Sequence, residues 1–334
     1  MDVLVTGATG FLGSHVAAHL LARGHRVRCL VRPGRDKSAL EAGGAEIAEG
    51  DLLDESSLRR ACKEMEGLVH CAAQTGNWSR QTAAQRAVNV EGTARLYRAA
   101  HDRRLARIVH VSTIATLGAN REGRPLDESC ACNIRHMRLP YVESKLESEE
   151  RALSAAWAGM PVVIVNPSHL AGPRLDGRLP SAVARLARRR MRLAPPGGIS
   201  VADVEDVADS ILAALERGAA GERYLLGGHD LEFVDFYTRL ARAMGVAPPS
   251  GSYPRIAGWA LARGAGALDL VGLSRPPWAP ERFRIWGWYT FADSSKAVRV
   301  LGHRIRPLEE ILLRTAGTKA AADQDWPRLP ARRA

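Results

Sequence analysis

Short apolar runs and segments of helical periodicity alternate along the first half of the chain. The run 3–5 is followed by a segment, 11–23, in which apolar residues recur on one side of a helix. Such alternation is typical of the α/β class, with a doubly wound parallel sheet and helices on both faces. The other predicted strands of this half are 26–31, 45–48, 68–71, 108–111 and 162–165, and the other predicted helices are 36–42, 55–62, 82–101 and a segment that starts at 140.

The pattern changes beyond about residue 172. A strand at 199–201, a helix at 204–215 and a strand at 224–226 are predicted to return to the sheet, whereas the remainder is mainly helical. A domain division follows from this change. We expect a first domain at 1–170 to which 199–228 returns, a smaller and mostly helical domain at 171–198 and 229–317, and a disordered tail at 318–334.

Three glycines follow the first strand at a spacing of three residues. Gly7 permits a tight turn, Gly10 lets the backbone approach a pyrophosphate, and Gly13 lets the helix pack closely on the strand. The helix N-terminus that they open favours an anion. The usual dinucleotide fingerprint is Gly-x-Gly-x-x-Gly, so the spacing here differs. Its place between a strand and a helix nevertheless favours a Rossmann-type dinucleotide site over a purely structural turn.

The end of the second strand carries the signal for cofactor choice. Dinucleotide folds place an acidic residue near this point for NAD, or an arginine for the 2′-phosphate of NADP. Arg32 and Arg35 therefore favour NADP over NAD, unless Arg32 is a plain surface residue, and the nearby Asp36 is interpreted as the start of the next helix. Asp51, after the third strand, is a candidate for binding the adenine amino group, or else starts a helix.

Tyr141 and Lys145 are the strongest candidate catalytic pair. At a spacing of four residues on a helix, both side chains lie on one face. A free tyrosine has a pKa near ~10, and a neighbouring ammonium is expected to lower it towards the range that acid–base catalysis needs. The same ammonium is expected to hold the nicotinamide ribose. Ser112 or Thr113, which follow the fifth strand, supply a hydroxyl for the substrate carbonyl.

Several motifs together resemble one enzyme family. The chain is similar, over about residues 1–315, to extended short-chain dehydrogenases/reductases of the NAD(P)-dependent epimerase/dehydratase group. Within that group, the segments 115–118, 162–167 and 221–228 resemble those of hopanoid-associated sugar-epimerase-like, dihydroflavonol-4-reductase-like and 3β-hydroxysteroid-dehydrogenase-like proteins. The matching motifs are Thr6-Gly7-Ala8-Thr9-Gly10-Phe11-Leu12-Gly13, Asp51-Leu52, His70-Cys71-Ala72-Ala73, Asn89-Val90-Glu91-Gly92-Thr93, Tyr141-Val142-Glu143-Ser144-Lys145 and Asn166-Pro167-Ser168.

The resemblance implies roles for individual residues. Thr113 takes the position of the family's catalytic hydroxyl, which is more often a serine, and its methyl group narrows the pocket. Asn89 supports the geometry of the nearby helix. The helices 82–101 and 140–157 are expected to pair in a homodimer. The cofactor site implied by the motifs comprises Gly7, Thr9, Gly10, Phe11, Leu12, Arg32, Asp51, Leu52, Ala72, Ala73, Tyr141, Lys145 and Pro167.

The substrate is indicated only in outline. Candidate contacts are Thr113, Tyr141, Trp78 on the loop after the fourth strand, and His169, which either contacts substrate or caps a strand. Arginines in the second domain suit a diphosphate, whereas aromatic residues in the same region suit an apolar or ring-shaped substrate or form a hydrophobic core. The arginines are Arg275, Arg282 and Arg284, and the aromatic residues are Trp278, Phe283, Trp286, Trp288, Tyr289 and Phe291.

These features lead to one interpretation and its alternatives. We interpret the chain as an NADPH-dependent reductase of a moderately apolar ketone, with a nucleotide-sugar epimerase as the alternative. A dehydratase is disfavoured because Ile114 follows Thr113 where that subgroup has an Asp-Glu pair. A non-catalytic NADP-binding regulator is disfavoured because Tyr141 and Lys145 are both present.

Composition adds limits to this interpretation. Of 334 residues, 46% are hydrophobic and 25% are charged, as in ordinary globular proteins, and no apolar run approaches the ~20 residues of a membrane span. The net charge of +11 suits an anionic cofactor or substrate. Nucleic acid is not an expected partner, because the basic run 185–192 lacks interleaved aromatic residues and is interpreted as a solvated helix face.

The cysteines and the N-terminus indicate a compartment. Five cysteines, an odd number, suit a reducing environment better than a disulfide framework. The chain enters a strand directly, with no signal-peptide pattern, so we expect a cytoplasmic protein. Cys130, Cys132 and His136 offer only three ligands in a loop, and no metal site is predicted from them.

Overall fold

Seven parallel strands form the central sheet. In the computed structural model each strand pairs with its neighbours in parallel, and the four central ones are almost entirely buried, as expected for a sheet covered on both faces. The structure describes residues 1–76, 78–175, 181–187, 191–270 and 279–317. In spatial order the strands are β3 (Glu46–Glu49), β2 (Arg26–Val31), β1 (Asp2–Thr6), β4 (Gly67–His70), β5 (Arg107–Val111), β6 (Val162–Pro167) and β9 (Arg223–Leu226).

Helices cover both faces of this sheet. One face packs against α1 and α8, through buried residues that include Val16, Leu20 and Ile211. The other face packs against α3, α5 and α6, through residues such as Leu58 and Leu96. The predicted doubly wound α/β fold is thereby confirmed. These helices, with two shorter ones, are α1 (Phe11–Ala22), α2 (Ser38–Ala42), α3 (Glu55–Ala61), α4 (Thr82–Arg86), α5 (Thr93–Asp102), α6 (Pro140–Trp157) and α8 (Val204–Arg217).

The predicted helix at 82–101 contains an irregular turn. Residues Ala87–Gly92 form a π-helical segment between α4 and α5. A Cβ on Gly92 would lie 2.9 Å from the Leu52 Cβ, so this turn passes close to the loop after β3. The Asn89 side chain, 1% exposed, lies within this segment, and single π-turns inside helices are frequent at functional sites.

A second, smaller sheet is built around a strand that was expected elsewhere. The predicted strand at 199–201 is β8, and it pairs with other short strands instead of returning to the large sheet, so that part of the prediction is wrong. Gly228, which precedes β10, lets the backbone pass close to β8, because a Cβ there would lie 2.0 Å from the Val201 carbonyl oxygen. The helix α8 and the strand β9 do return to the large sheet. The small sheet comprises β7 (His169–Ala171), β8 (Gly198–Asp203), β10 (His229–Glu232) and β11 (Tyr289–Thr290).

The remaining helices lie mostly beside the small sheet. A cluster of buried residues from α7, α9, α13 and β8, including Phe236, Leu240 and Ile311, forms its core. One helix, α12, packs instead into the core of the large sheet through Ala297 and Leu301. Arg275, Trp278 and the tail 318–334 lie outside the described residues. The helices are α7 (Ser181–Ala187), α9 (Phe233–Ala243), α10 (Arg255–Leu270), α11 (Glu281–Arg284), α12 (Ser295–Leu301) and α13 (Leu308–Ala316).

The glycine in the first turn of α1 is expected to be essential for stability. A Cβ on Gly13 would lie 2.2 Å from the Gly7 carbonyl oxygen, which is rigid backbone. We predict that Gly13→Ala lowers the free energy of unfolding by roughly 1–3 kcal/mol, as overpacking typically does. Denaturant titration measures this change. Gly264→Ala in α10 is the matched control, because nothing lies within 4 Å of a Cβ there and helix propensity favours alanine. Equal stability of the two variants would contradict the prediction.

Candidate active site

A cleft of about 520 Å³ opens at the carboxyl ends of β1 to β4. It brings together eight of the predicted cofactor residues, whereas Phe11, Leu12, Tyr141, Lys145 and Pro167 do not line it. Ligands of doubly wound folds bind at this edge of the sheet. The predicted residues in the lining are Gly7, Thr9, Gly10, Arg32, Asp51, Leu52, Ala72 and Ala73, and the others are Thr6, Leu30, Arg35, Gly50, Cys71, Gln74 and Val88.

The glycine loop gives one end of this cleft the form of an anion site. Gly7 has φ +75°, and a Cβ there would lie 2.7 Å from the Ala72 nitrogen. The Gly10 N–H donates to the Gly7 carbonyl at 2.9 Å, and α1 begins after Gly10 with no side chain capping it. Its first N–H groups therefore remain available to a phosphate group. These residues fit the pyrophosphate of a dinucleotide.

The arginines at the end of β2 lie where the adenosine half of a dinucleotide would extend. Arg32 and Arg35 are exposed and line the cleft. The Asp36 carboxylate accepts hydrogen bonds from the Ser38 N–H at 3.1 Å and the Ser38 hydroxyl at 2.6 Å, so it is engaged at the start of α2. Asp51 lines the cleft and accepts from the Leu53 N–H at 2.8 Å. The lining thus includes two cations near one carboxylate.

Thr113 and Tyr141 meet at the carboxyl end of β5. The Tyr141 phenol and the Thr113 side chain are hydrogen-bonded. Thr113 also caps the short 3₁₀ turn Ile114–Leu117, because its hydroxyl accepts from the Ala115 N–H at 3.4 Å. The Ser112 hydroxyl instead donates to the Glu149 carboxylate. Of the two hydroxyls left open by the sequence, Thr113 is the one that contacts Tyr141.

Lys145 lies one turn further along α6 and is 3% exposed. Its ammonium donates to the Val111 carbonyl oxygen at 2.8 Å. Burial lowers the Lys145 pKa to about 8, and the charge of Glu149 opposes this shift. At neutral pH the side chain therefore remains an ammonium.

The protonation of Tyr141 differs from the sequence-based expectation. Burial raises the Tyr141 pKa to about 12, and the hydrogen bond with Thr113 opposes this shift only in part. The expected lowering by Lys145 is not found, and the Lys145 ammonium is instead hydrogen-bonded to Val111. The phenol is therefore protonated at neutral pH, which is the form that can donate a proton.

Asn89 connects this group to the loop after β4. Its amide nitrogen donates to the Ser144 hydroxyl at 2.9 Å and to the Gln74 carbonyl at 3.0 Å, while its oxygen accepts from the Gln74 N–H at 2.7 Å. Ser144 immediately precedes Lys145 on α6. The π-helical turn thus orients an amide that links α6 to the edge of the 520 Å³ cleft.

A second cleft, of about 680 Å³, adjoins the start of α6. Its lining includes Ser79, which follows Trp78, and Pro140, which precedes Tyr141. Arg284, one of the arginines proposed for a diphosphate, lines it together with Arg138 and Arg263. Trp78 is half-buried, and its ring lies beneath the Arg80 guanidinium. His169 is exposed and contacts the Phe233 ring edge-on, on the small sheet.

The aromatic residues near the end of the chain pack largely on one another. Phe283 meets Trp286 with ring centroids 5.1 Å apart, and Tyr289 meets Phe291 at 5.2 Å. Phe283 and Tyr289 are buried. Phe283, Trp286 and Trp288 also line a third cleft of about 570 Å³. Arg282 lies in α11.

Glu149 and Thr116 belong to the site but are not among the residues predicted from the sequence motifs. Glu149 is 2% exposed and accepts hydrogen bonds from several side chains around the end of β5. A glutamate four residues after Lys145 and eight after Tyr141 repeats the helical spacing of that pair, and this was the available signal. No comparable spacing in the sequence marks the hydroxyl of Thr116.

Two groups of potential metal ligands have other partners. Cys130 contacts Asp127 at 3.6 Å, and His136 is hydrogen-bonded to the Asn133 carbonyl at 3.0 Å. Elsewhere, His15, His19 and Glu205 bring one potential ligand atom each within 4.8 Å of the others. The Arg314 guanidinium lies 2.9 Å from the Glu205 carboxylate and already supplies a positive charge there.

Comparison with known proteins is consistent with the site geometry. The model of the NAD dependent epimerase/dehydratase family matches residues 3–227, more than half of the chain. The chain belongs to this family. The resemblance seen in the sequence motifs is thereby confirmed.

Relatives and solved structures resemble this family member over nearly its whole length. A putative dihydroflavonol 4-reductase of Synechocystis is 32% identical, over 89% of this chain and 88% of the relative. A 4-hydroxy-2-methyl-3-oxo-4-farnesyl-3,4-dihydroquinoline-1-oxide ketoreductase of Stigmatella aurantiaca is 33% identical, over 91% and 92%. The crystal structure of gox2253 has a TM-score of 0.84 and 33% identity, over 96% of this chain and 98% of that one. Among the described helices, none has the length and apolarity needed to cross a membrane.

The buried ammonium of Lys145 is expected to reduce stability at neutral pH. Its pKa falls from a usual 10.5 to about 8 on folding, so folding opposes the charged form. The cost, about 3 kcal/mol, is fully present below pH 8 and disappears as pH rises towards 10.5. We predict that Lys145→Met is more stable than wild type at pH 7, and that the difference shrinks by pH 10.

Denaturant titrations at the two pH values measure this difference. Lys63→Met is the control, because it removes the ammonium of an exposed lysine. A wild-type protein that is equally less stable than Lys145→Met at both pH values would refute the explanation from the pKa.

Proposed function

We propose that this protein is an NADPH-dependent reductase that converts a carbonyl group of a moderately apolar small molecule into a secondary alcohol. The observation that carries the proposal is the hydrogen-bonded pair of Thr113 and Tyr141, with the Lys145 ammonium one helical turn away. A protonated phenol beside a second hydroxyl suits a reacting carbonyl oxygen. The same groups serve the reverse oxidation.

Each side chain has a distinct task in this mechanism. The cofactor, when bound, supplies the hydride that goes to the carbonyl carbon. Thr113 orients the carbonyl oxygen through its hydroxyl, and Tyr141 donates its phenolic proton to that oxygen. Lys145, whose ammonium is held by the Val111 carbonyl oxygen, binds the nicotinamide ribose. In the oxidation direction, the phenolate takes the proton back from the alcohol.

The preference for NADPH rests on the 520 Å³ cleft. Gly7, Thr9, Gly10, Phe11 and Leu12 are assigned to the pyrophosphate side, and Arg32 to the 2′-phosphate. The hydrogen bonds that Asp36 accepts from Ser38 support this assignment, because they hold the Asp36 carboxylate at the start of α2. Asp51, Leu52, Ala72, Ala73 and Pro167 are assigned to the adenine and nicotinamide ends.

The proposed substrate class is supported by the names of two relatives and by Trp78. The names of both relatives describe reductases, one a putative dihydroflavonol 4-reductase and the other a ketoreductase of a farnesylated dihydroquinoline oxide. Trp78 and His169 are assigned to the substrate side, and the segments 171–198 and 229–317 to the substrate domain. An apolar, ring-containing ketone agrees with these names and with the half-buried Trp78.

A nucleotide-sugar epimerase is the second candidate. The family description includes epimerases, and the arginines Arg138, Arg263 and Arg284 around the 680 Å³ cleft suit a diphosphate. Net consumption of NADPH with a ketone separates the two candidates, since an epimerase regenerates its cofactor. A non-catalytic regulator ranks last, because Tyr141 and Lys145 are intact.

The assembly and the compartment are part of the proposal. We assign the protein to the cytoplasm and expect a homodimer formed by the helical segments 82–101 and 140–157. Trp157, at the end of α6, is 79% exposed in the single chain and supports an interface on this side.

Replacement of the phenol tests the mechanism. We predict that Tyr141→Phe lowers kcat for ketone reduction by roughly 10²–10⁴-fold, because the general acid is lost, while NADPH affinity stays almost unchanged. Steady-state kinetics and calorimetry measure the two quantities. Tyr253→Phe is the control, since Tyr253 is exposed. Normal turnover by Tyr141→Phe would remove Tyr141 from the mechanism.

Replacement of one arginine tests the cofactor choice. We predict that Arg32→Ala weakens NADPH binding by roughly tenfold or more, the equivalent of about 1.5–3 kcal/mol for a hydrogen bond to a charged group, and leaves NADH binding unchanged. Calorimetry with both cofactors measures this. Arg26→Ala, at the opposite end of β2 and paired with Asp2 at 2.6 Å, is the control. Tight NADH binding that is the same in wild type and in Arg32→Ala would favour the epimerase instead.

A further inference from the structure

Glu149 is a buried carboxylate on the same face of α6 as Tyr141 and Lys145. It follows them by eight and four residues, so the three side chains line one stripe of the helix, about 12 Å long at 1.5 Å per residue. A charge that is 2% exposed is costly unless hydrogen bonds and an opposite charge compensate it. The residues that bond to Glu149 therefore indicate the role of this buried carboxylate.

The partners come from the ends of three neighbouring strands. Glu149 accepts from the Ser112 hydroxyl after β5, from the Asn166 amide of β6 at 2.9 Å, and from Arg223 at the start of β9 at 3.4 Å. The Thr116 hydroxyl, in the turn after β5, lies 2.7 Å away. One carboxylate thus joins the catalytic helix to three strands of the sheet.

Two of these partners also hold the backbone of Thr113. The Thr116 hydroxyl lies 2.8 Å from the Thr113 carbonyl oxygen, and the Asn166 amide nitrogen lies 3.2 Å from it. The Thr113 side chain in turn is hydrogen-bonded to Tyr141. The Asn166 amide has two N–H bonds and can donate to Glu149 and to the Thr113 carbonyl together, whereas the single Thr116 proton is shared between the same two acceptors. Glu149 is thereby connected to the backbone of Thr113, whose side chain contacts Tyr141.

We propose that Glu149 is a positioning residue of this site: it fixes the turn that carries Thr113 against α6, and it places a negative charge one helical turn from Lys145. This inference rests on the proposed reductase function, since it assigns to Glu149 the placement of the groups that function uses. Glu149 acts through Thr113 and Lys145 and has no contact with the 520 Å³ cofactor cleft.

The charged groups around Lys145 support the same role for Glu149. Burial lowers the Lys145 pKa, while Glu149 on α6 and Cys71 after β4 raise it. His70 on β4 and His110 on β5 also face Lys145, but burial lowers the pKa of both imidazoles, so they are neutral at pH 7. The Cys71 thiol and the Tyr141 phenol are neutral there too, because burial raises the pKa of each. The Glu149 carboxylate is thus the main group that opposes the effect of burial on the Lys145 pKa.

Direct titration of Lys145 is the first test. The chain contains only five lysines, so carbon-13 labelling of the lysine Cε atoms gives a simple NMR spectrum, and Lys145→Met identifies the resonance of Lys145. In wild type we expect a midpoint near the pKa of about 8, and in Glu149→Gln a midpoint at lower pH. Glu149→Asp, which keeps the charge, should retain a midpoint near that of wild type. An unchanged midpoint in Glu149→Gln overturns the electrostatic part of the proposal.

Kinetics test the geometric part. We expect Glu149→Gln and Glu149→Asp to lower kcat on the order of 10²-fold with NADPH affinity unchanged, since small displacements of reacting groups cost this much. In Glu149→Gln alone, the alkaline limb of kcat/KM should also move to lower pH. Glu150→Gln is the matched control, because Glu150 is the exposed neighbour, paired with Arg135 at 2.5 Å. Wild-type kcat in both Glu149 variants overturns positioning.

A further variant covers the case in which Glu149→Gln does not fold. Thr116→Val keeps the shape of a buried side chain but removes the hydroxyl between Glu149 and the Thr113 carbonyl, while the link through Asn166 remains. It should lower kcat without moving the Lys145 midpoint, and an unchanged kcat overturns the contribution of Thr116 to the placement of Thr113. The NMR titration needs no substrate, so a wild-type protein that reduces no ketone refutes the reductase while Glu149 is still judged by the Lys145 midpoint.

Discussion

The close approach of the α1 backbone to the loop after β1 constrains the shape of the cleft at the carboxyl edge of the sheet. Gly13 lies against the Gly7 carbonyl at a distance that excludes any side chain. This contact sets the angle at which α1 leaves the sheet and opens its first N–H groups towards the cleft. It also brings Gly7 against the backbone of Ala72, so the loops after β1 and β4 form one continuous wall. The cleft exists because two segments of backbone meet without side chains between them.

Burial determines the ionisation of the catalytic candidates more strongly than their mutual proximity does. Tyr141 and Lys145 are both shifted towards their neutral forms, the phenol upwards and the ammonium downwards. A dry site thus leaves the acid protonated and the cation close to its titration point. Both states suit proton donation to a carbonyl oxygen, and both depend on the polar groups that reach into the site from strand ends.

The sequence predicted the fold well because its signals are local. The strand, glycine loop and helix at the N-terminus and the Tyr141–Lys145 pair depend on spacing alone, and the family match agrees with them. The strand β8 was misassigned, because an apolar run shows that a strand is buried but not which sheet it joins. The Tyr141 pKa and the network of Glu149 depend on side chains that are distant in sequence, such as Asn166 and Arg223, and no spacing rule connects these.

The π-helical turn at Ala87–Gly92 has a consequence for attempts to regularise this protein. Such a turn holds one residue more than an α-helical turn would, so its removal by a single deletion would produce a more regular helix. The deletion would also move the residues inside the turn away from the positions that the wider turn gives them. Asn89 lies in this turn, so its amide would lose its alignment with Ser144 and Gln74. A more regular helix here would therefore lose the hydrogen bonds by which Asn89 links α6 to the loop after β4.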